Sequence, residues 1–151
     1  MTTSNGSKEE KETRQPDKPQ IVCLCGSTRF KEEFIKQNFL LTMQGKIVVT
    51  VGWFSHSDKK IYYPTDKEKE QLDLLHLSKI DLADEIFIIN KDHYIGESTK
   101  RELTYAYRWC EGYPPGRNTP KKITFLEPDQ FDPIQLFEFT HDLGEYRKEL
   151  P

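Results

Sequence analysis

The stretch from Leu82 to Ala106, LADEIFIINKDHYIGESTKRELTYA, constrains the fold more than any other part of the chain. Its apolar run Ile86-Phe87-Ile88-Ile89 is short, rich in β-branched residues and flanked by Asp84-Glu85 and Lys91-Asp92. Such a run reads as a strand buried on both faces, as in a parallel sheet. A loop containing Gly96 follows, and Ser98 or Thr99 then starts a helix carrying Glu102, Leu103, Ala106 and Tyr107. This places Glu102 in the first helical turn beyond the carboxyl end of a central strand, where open α/β sheets bind ligands.

Two readings compete for Glu102. Thr99-Lys100-Arg101-Glu102 fits a capping box, in which the glutamate reaches back to a backbone N–H. A helix N-terminus also favours an anion by about 0.3–1 kcal/mol. A carboxylate held ionised there suits a nucleophile as well as a cap.

The remaining segments alternate strand and helix. Residues 1–19 are polar and almost free of apolar side chains, and read as a disordered tail. Ile21 to Cys25 is an apolar first strand, with Cys23 and Cys25 on the same side of the sheet. Gly26-Ser27-Thr28 follows, then a helix from about Arg29 to Gln44 with Phe30, Phe34, Phe39, Leu40 and Met43 as its apolar stripe. A strand, Gly-Ser and a helix start offer backbone donors to an anion, and Arg29 can add a charge-assisted contact. The plainer reading is that Ser27 or Thr28 caps the helix.

Gly45 ends that helix, and Ile47 to Val51 is the second strand. Trp53 and Phe54 lie beyond its carboxyl end, able either to stack on a nucleobase or to plug the core. Thr65 or Asp66 caps a helix running to Leu82, whose apolar face carries Leu72, His76, Ile80 and Ala83 with Asp73 at its border. His76 reads as a core histidine or as a catalyst. After a turn-rich loop from Glu111 to Pro120 come a fourth strand at Lys121 to Leu126 and a last helix starting at Asp132-Pro133.

This alternation predicts one α/β domain over residues 20–145 with a frayed end at 146–151. The expected architecture is a doubly wound, mostly parallel sheet of four to five strands in three α/β/α layers, Rossmann-like or flavodoxin-like. The first and third strands should be adjacent, bringing Ser27 and Glu102 to one cleft.

Charge and composition narrow the partners. A net charge of -3 argues for neither nucleic-acid polymer nor acidic membrane. No apolar run approaches the roughly 18 residues of a membrane span, and no signal-peptide core precedes the first strand. Cys23, Cys25 and Cys110 read as reduced cytoplasmic thiols. By spacing they predict no metal site, and no cofactor is expected.

The chain resembles the nucleoside 2-deoxyribosyltransferase superfamily, including its 2′-deoxynucleoside 5′-phosphate N-hydrolase branch. The resemblance rests on Cys25-Gly26-Ser27, on Leu82-Ala83-Asp84-Glu85-Ile86 and on Ser98 to Ala106, and covers roughly residues 20 to 126. The last segment is similar to the family's Gly-Thr-x-x-Glu-Leu-Gly-x-Ala, whose glutamate is the nucleophile and falls here on Glu102. Ser98 and Thr104 stand where the family usually has glycine. His76 stands where it usually has an aspartate, with Asp73 and Asp81 the nearest carboxylates.

The resemblance implies cleavage or transfer of an N-glycosidic bond through a glycosyl ester on Glu102. His76 would protonate the departing base, Trp53 or Phe54 would stack on it, and Asp73 would join the substrate contacts. Gly26, Ser27, Arg29 and Ser98 would hold a 5′-phosphate. The resemblance also implies a homodimer or larger homo-oligomer. The same scaffold can instead serve as a nucleotide-binding sensor without turnover.

Overall fold

The computed structural model describes residues 18–110 and 121–128. The expected tail, the loop from Glu111 to Pro120 and the last helix at Asp132 lie outside the described residues, apart from Lys18 to Gln20.

Among the described residues, four strands form one parallel sheet: β1 (Ile21–Gly26), β2 (Ile47–Val49), β3 (Glu85–Ile89) and β4 (Lys122–Phe125), in the order β2-β1-β3-β4. β1 and β3 are neighbours, with Cys25 opposite Ile88 and Gly26 opposite Ile89. Helices α1 (Lys31–Met43), α2 (Asp66–Leu82) and α3 (Glu97–Cys110) connect the strands.

The two faces of the sheet are covered separately. Ile21, Cys23, Cys25, Ile86 and Ile88 pack with Leu77 and Ile80 of α2 and with Leu103 and Ala106 of α3. Val22, Leu24 and Ile89 pack with Phe34 and Leu41 of α1. This is the three-layer α/β/α arrangement, and it explains why β1 and β3 are apolar without alternation. No described helix is long and apolar enough to cross a membrane.

Several boundaries and faces differ from the sequence reading. β2 stops at Val49 rather than Val51; it is an edge strand, with Ile47 exposed. The inward stripe of α1 is Phe34, Gln37 and Leu41, while Phe39, Leu40 and Met43 are exposed. At 100° per residue, Phe39 and Met43 lie across the helix from Phe34.

On α2, His76, Leu77 and Ile80 are buried, as is Ala83 just past its end, but Leu72 is exposed. This helix of 17 residues is about 25 Å long, against about 20 Å for the six-residue β1. Its amino-terminal half therefore borders a cleft at the sheet's carboxyl edge. Thr65 caps α2 in a full capping box: Glu68 N donates to Thr65 Oγ1 at 3.2 Å and Thr65 N donates to Glu68 Oε1 at 2.9 Å. At the other end, Lys121 Nζ donates to the carbonyls of Asp81 and Ala83.

The start of α3 is the most consequential difference. The helix begins at Glu97, and Lys100 N donates to Gly96 O at 3.0 Å. Thr99 is buried inside the helix and does not occupy a cap position. Glu102 consequently lies in the second turn, so it is neither part of a capping box nor stabilised as a first-turn carboxylate.

Candidate functional site

A cleft of about 540 Å³ opens at the carboxyl edge of the sheet, within the usual size of small-molecule sites. Gly26, Ser27, Trp53, Asp73, His76, Ser98 and Glu102 all line it. Ser27 and Glu102 thus open onto the same space, as the adjacency of β1 and β3 requires.

Gly26 serves close packing. A Cβ there would lie 2.7 Å from Ile89 O and 2.9 Å from Ile89 Cβ, so only glycine lets β1 and β3 approach at this end. Ser27 Oγ accepts a long hydrogen bond of 3.4 Å from Arg29 N, capping the 3-10 turn Thr28–Phe30. Ser98 Oγ accepts from Arg101 Nη2 at 3.4 Å.

Two expected binding residues do not line the cleft. Arg29 is turned away by the 3-10 turn and lies 4.0 Å over the ring of Tyr94, also donating to its hydroxyl at 3.1 Å. Phe54 belongs to the α1 side of the core, edge-on to Phe34 at 5.3 Å. Asp58 fixes this loop by accepting from Phe54 N at 2.8 Å and Lys31 Nζ at 2.9 Å. The lysine and the backbone donor hold the Asp58 carboxyl below its ordinary range. Trp53 remains at the cleft, its indole N–H donating to Tyr62 O at 3.2 Å.

Glu102 and His76 form the deep wall. His76 Nε2 lies 3.7 Å from Glu102 Oε2, 3.3 Å from Cys25 Sγ and 3.9 Å from Cys23 Sγ. Glu102 Oε2 and His76 Nδ1 are buried without a hydrogen-bond partner among the described residues. Burial pushes the Glu102 carboxyl up to about 7, with His76 pulling against it. This reverses the expectation of a carboxylate kept fully ionised by a helix end. Burial lowers His76, but the Glu102 charge and Cys23 outweigh it and raise the imidazole to about 9. The bond with Cys25, assisted by His76, draws Cys23 down to about 6, while burial holds Cys25 well above an ordinary thiol. Groups this close exchange protons as one unit. Burial also raises Asp73, with Arg101 and His76 opposing.

The sequence reading missed a polar cluster across the cleft. Thr28 Oγ1 lies 2.6 Å from Ser55 Oγ and 2.9 Å from His56 Nδ1. Lys59 and Lys69 also line the cleft and flank the Tyr63 ring. The only local signal was the Ser55-His56 pair in a loop already placed at the ligand edge. It also missed the grouping of His76 with two cysteines, one of them 51 residues away along the chain.

The chain matches no family model, no curated protein and no solved structure.

Proposed function

We propose that this cleft breaks the N-glycosidic bond of a nucleoside or nucleoside 5′-monophosphate, by hydrolysis or by transfer to a second base, with Glu102 as nucleophile. The observation that carries the reading is a glutamate oxygen buried at the cleft wall, without a hydrogen-bond partner among the described residues, beside a histidine that holds a proton at neutral pH. The Ser98 to Ala106 segment, similar to the nucleoside 2-deoxyribosyltransferase motif, supports it independently.

In the first step a Glu102 oxygen bonds to the anomeric carbon as the carbon–nitrogen bond breaks. The bonding pair leaves with the base, which takes a proton from His76. Water then bonds to the anomeric carbon, the ester to Glu102 breaks, and the water's proton returns to His76. A second base in place of water gives transfer. This is the retaining chemistry of a carboxylate nucleophile. With its carboxyl near 7, Glu102 is substantially ionised at neutral pH, as the attack requires. Trp53 supplies a stacking face for the base. Ser27, the Thr28–Ser55–His56 cluster, Lys59 and Lys69 suit a 5′-phosphate. The same resemblance brings with it a homo-oligomer, and the reduced cysteines suit a cytoplasmic setting.

A sensor without turnover is the second reading, favoured by His76 at the family's usual aspartate position. Incubation with a panel of nucleosides and 5′-monophosphates, with chromatography for free base, separates the two. The enzyme releases base over time, and Glu102→Gln folds, still binds and releases none. Near-normal release by Glu102→Gln on a substrate the parent clearly cleaves would remove Glu102 as nucleophile. Thermal protection by a nucleotide without released base would establish the sensor.

A further inference from the structure

We propose that Cys23, Cys25 and His76 form a three-ligand site for a thiophilic divalent cation of the zinc class, with Glu102 beside its open position. The geometry carries it. Cys23 Sγ, Cys25 Sγ and His76 Nε2 all lie within 4.8 Å of one another. The sulfur–sulfur separation is 4.0 Å, the sulfur–nitrogen separations are 3.3 and 3.9 Å, and His76 Nε2 to Glu102 Oε2 is 3.7 Å. Zinc bonds of about 2.3 Å to sulfur and about 2.0–2.1 Å to nitrogen or oxygen give tetrahedral edges of about 3.8 Å for S···S, 3.5 Å for S···N and 3.3 Å for N···O. The three edges among the two sulfurs and the nitrogen fall within about half an ångström of these values, and Glu102 meets the group through His76.

Glu102 adds a second observation beside the open position. Glu102 Oε2 is buried and makes no hydrogen bond among the described residues, which is costly for a carboxylate oxygen unless something else is bound there. The donor set of two thiolates and an imidazole suits zinc and disfavours the hard cations magnesium and calcium. Both cysteines are fully buried in the strand and His76 is held by α2, so the ligands are set by the sheet–helix packing. Binding sends the thiol protons to solvent.

The site does not depend on the glycosidase reading. Where both hold, they exclude each other in time: a seated ion takes the His76 nitrogen that faces Glu102, so the metal-loaded protein is silent.

Cobalt(II) is the probe, because it takes the same ligands and its thiolate charge-transfer band reports cysteine bonding. Chelator-treated full-length protein should take up one equivalent with a tetrahedral spectrum, and one equivalent of zinc should bleach it. Zinc should also raise the melting temperature. Cys23→Ser, Cys25→Ser and His76→Gln should each weaken binding by more than about tenfold, since losing a ligand costs more than losing a second-shell partner. Glu102→Gln should keep the charge-transfer band. Cys110→Ser should change nothing. A parent without the charge-transfer band refutes the site. So does a band lost in Cys110→Ser, a test that does not require the strand variants to fold.

Discussion

Gly26→Ala tests whether the close approach of β1 and β3 builds the cleft. The added Cβ would meet Ile89 O at 2.7 Å and Ile89 Cβ at 2.9 Å. These distances are about half an ångström or more inside ordinary contact, given that atom pairs sit best at about 3.5–4.0 Å. Neither partner is the free end of a side chain, so relief requires the strand itself to move. Overpacking of this kind costs about 1–3 kcal/mol, or roughly 4–12 °C in melting temperature at about 4 °C per kcal/mol. Gly52→Ala is the matched control. Its Cβ would have nothing within 4 Å, so it should be neutral or slightly stabilising. Thermal melts of both variants by circular dichroism decide the matter. If Gly26→Ala melts within a degree of the parent, the strands have room to spare and the packing argument fails.

Other expectations follow from single contacts. Thr65→Ala should lose about 1 kcal/mol by urea denaturation, because the capping box at the head of α2 opens. Phe54→Ala should cost about 2 kcal/mol or more by removing the ring packed on Phe34, with little effect on nucleotide affinity. Trp53→Ala should do the reverse, weakening a nucleotide more than the fold, as isothermal calorimetry and melting together would show. The Asp58 carboxyl is held below 3.8 in the folded state, so its contribution is present at neutral pH and is lost as pH falls below that value toward the folded one. Asp58→Asn should flatten that part of the stability–pH curve, and an unchanged acid limb would show that Lys31 and Phe54 N do not hold the carboxylate.

The order of elements was legible because β1 and β3 announce themselves as continuous apolar runs between charged flanks. Their adjacency followed from the topology of doubly wound sheets and placed Ser27 and Glu102 on one cleft. Helix phase was harder to read. Where the sequence suggests helix starts, Thr-x-x-Glu stands at Thr65–Glu68 and at Thr99–Glu102, and of these two only the first is a capping box. The difference is tertiary: Thr99 is buried, and α3 has already begun at Glu97. Phe39 and Met43 misled the reading of α1 because an apolar side chain does not by itself say which way it faces. The joining of Cys23 and Cys25 to the expected His76–Glu102 pair was invisible because it links a strand to two helices distant in sequence.

The alternation of β1 has a consequence for how this protein tolerates change. Cys23 and Cys25 point to the wall that holds His76 and Glu102, whereas Val22 and Leu24 point to the layer of Phe34 and Leu41. One strand therefore separates the side that holds the cysteine–histidine–glutamate cluster from the side packed on α1. Residues divided by a sheet in this way share few partners, and substitutions on such positions combine almost additively. The α1 layer can drift in sequence, gaining or losing stability, while the geometry across the strand stays fixed. A lineage could thus retune how firmly this chain folds without revising what its cleft recognises.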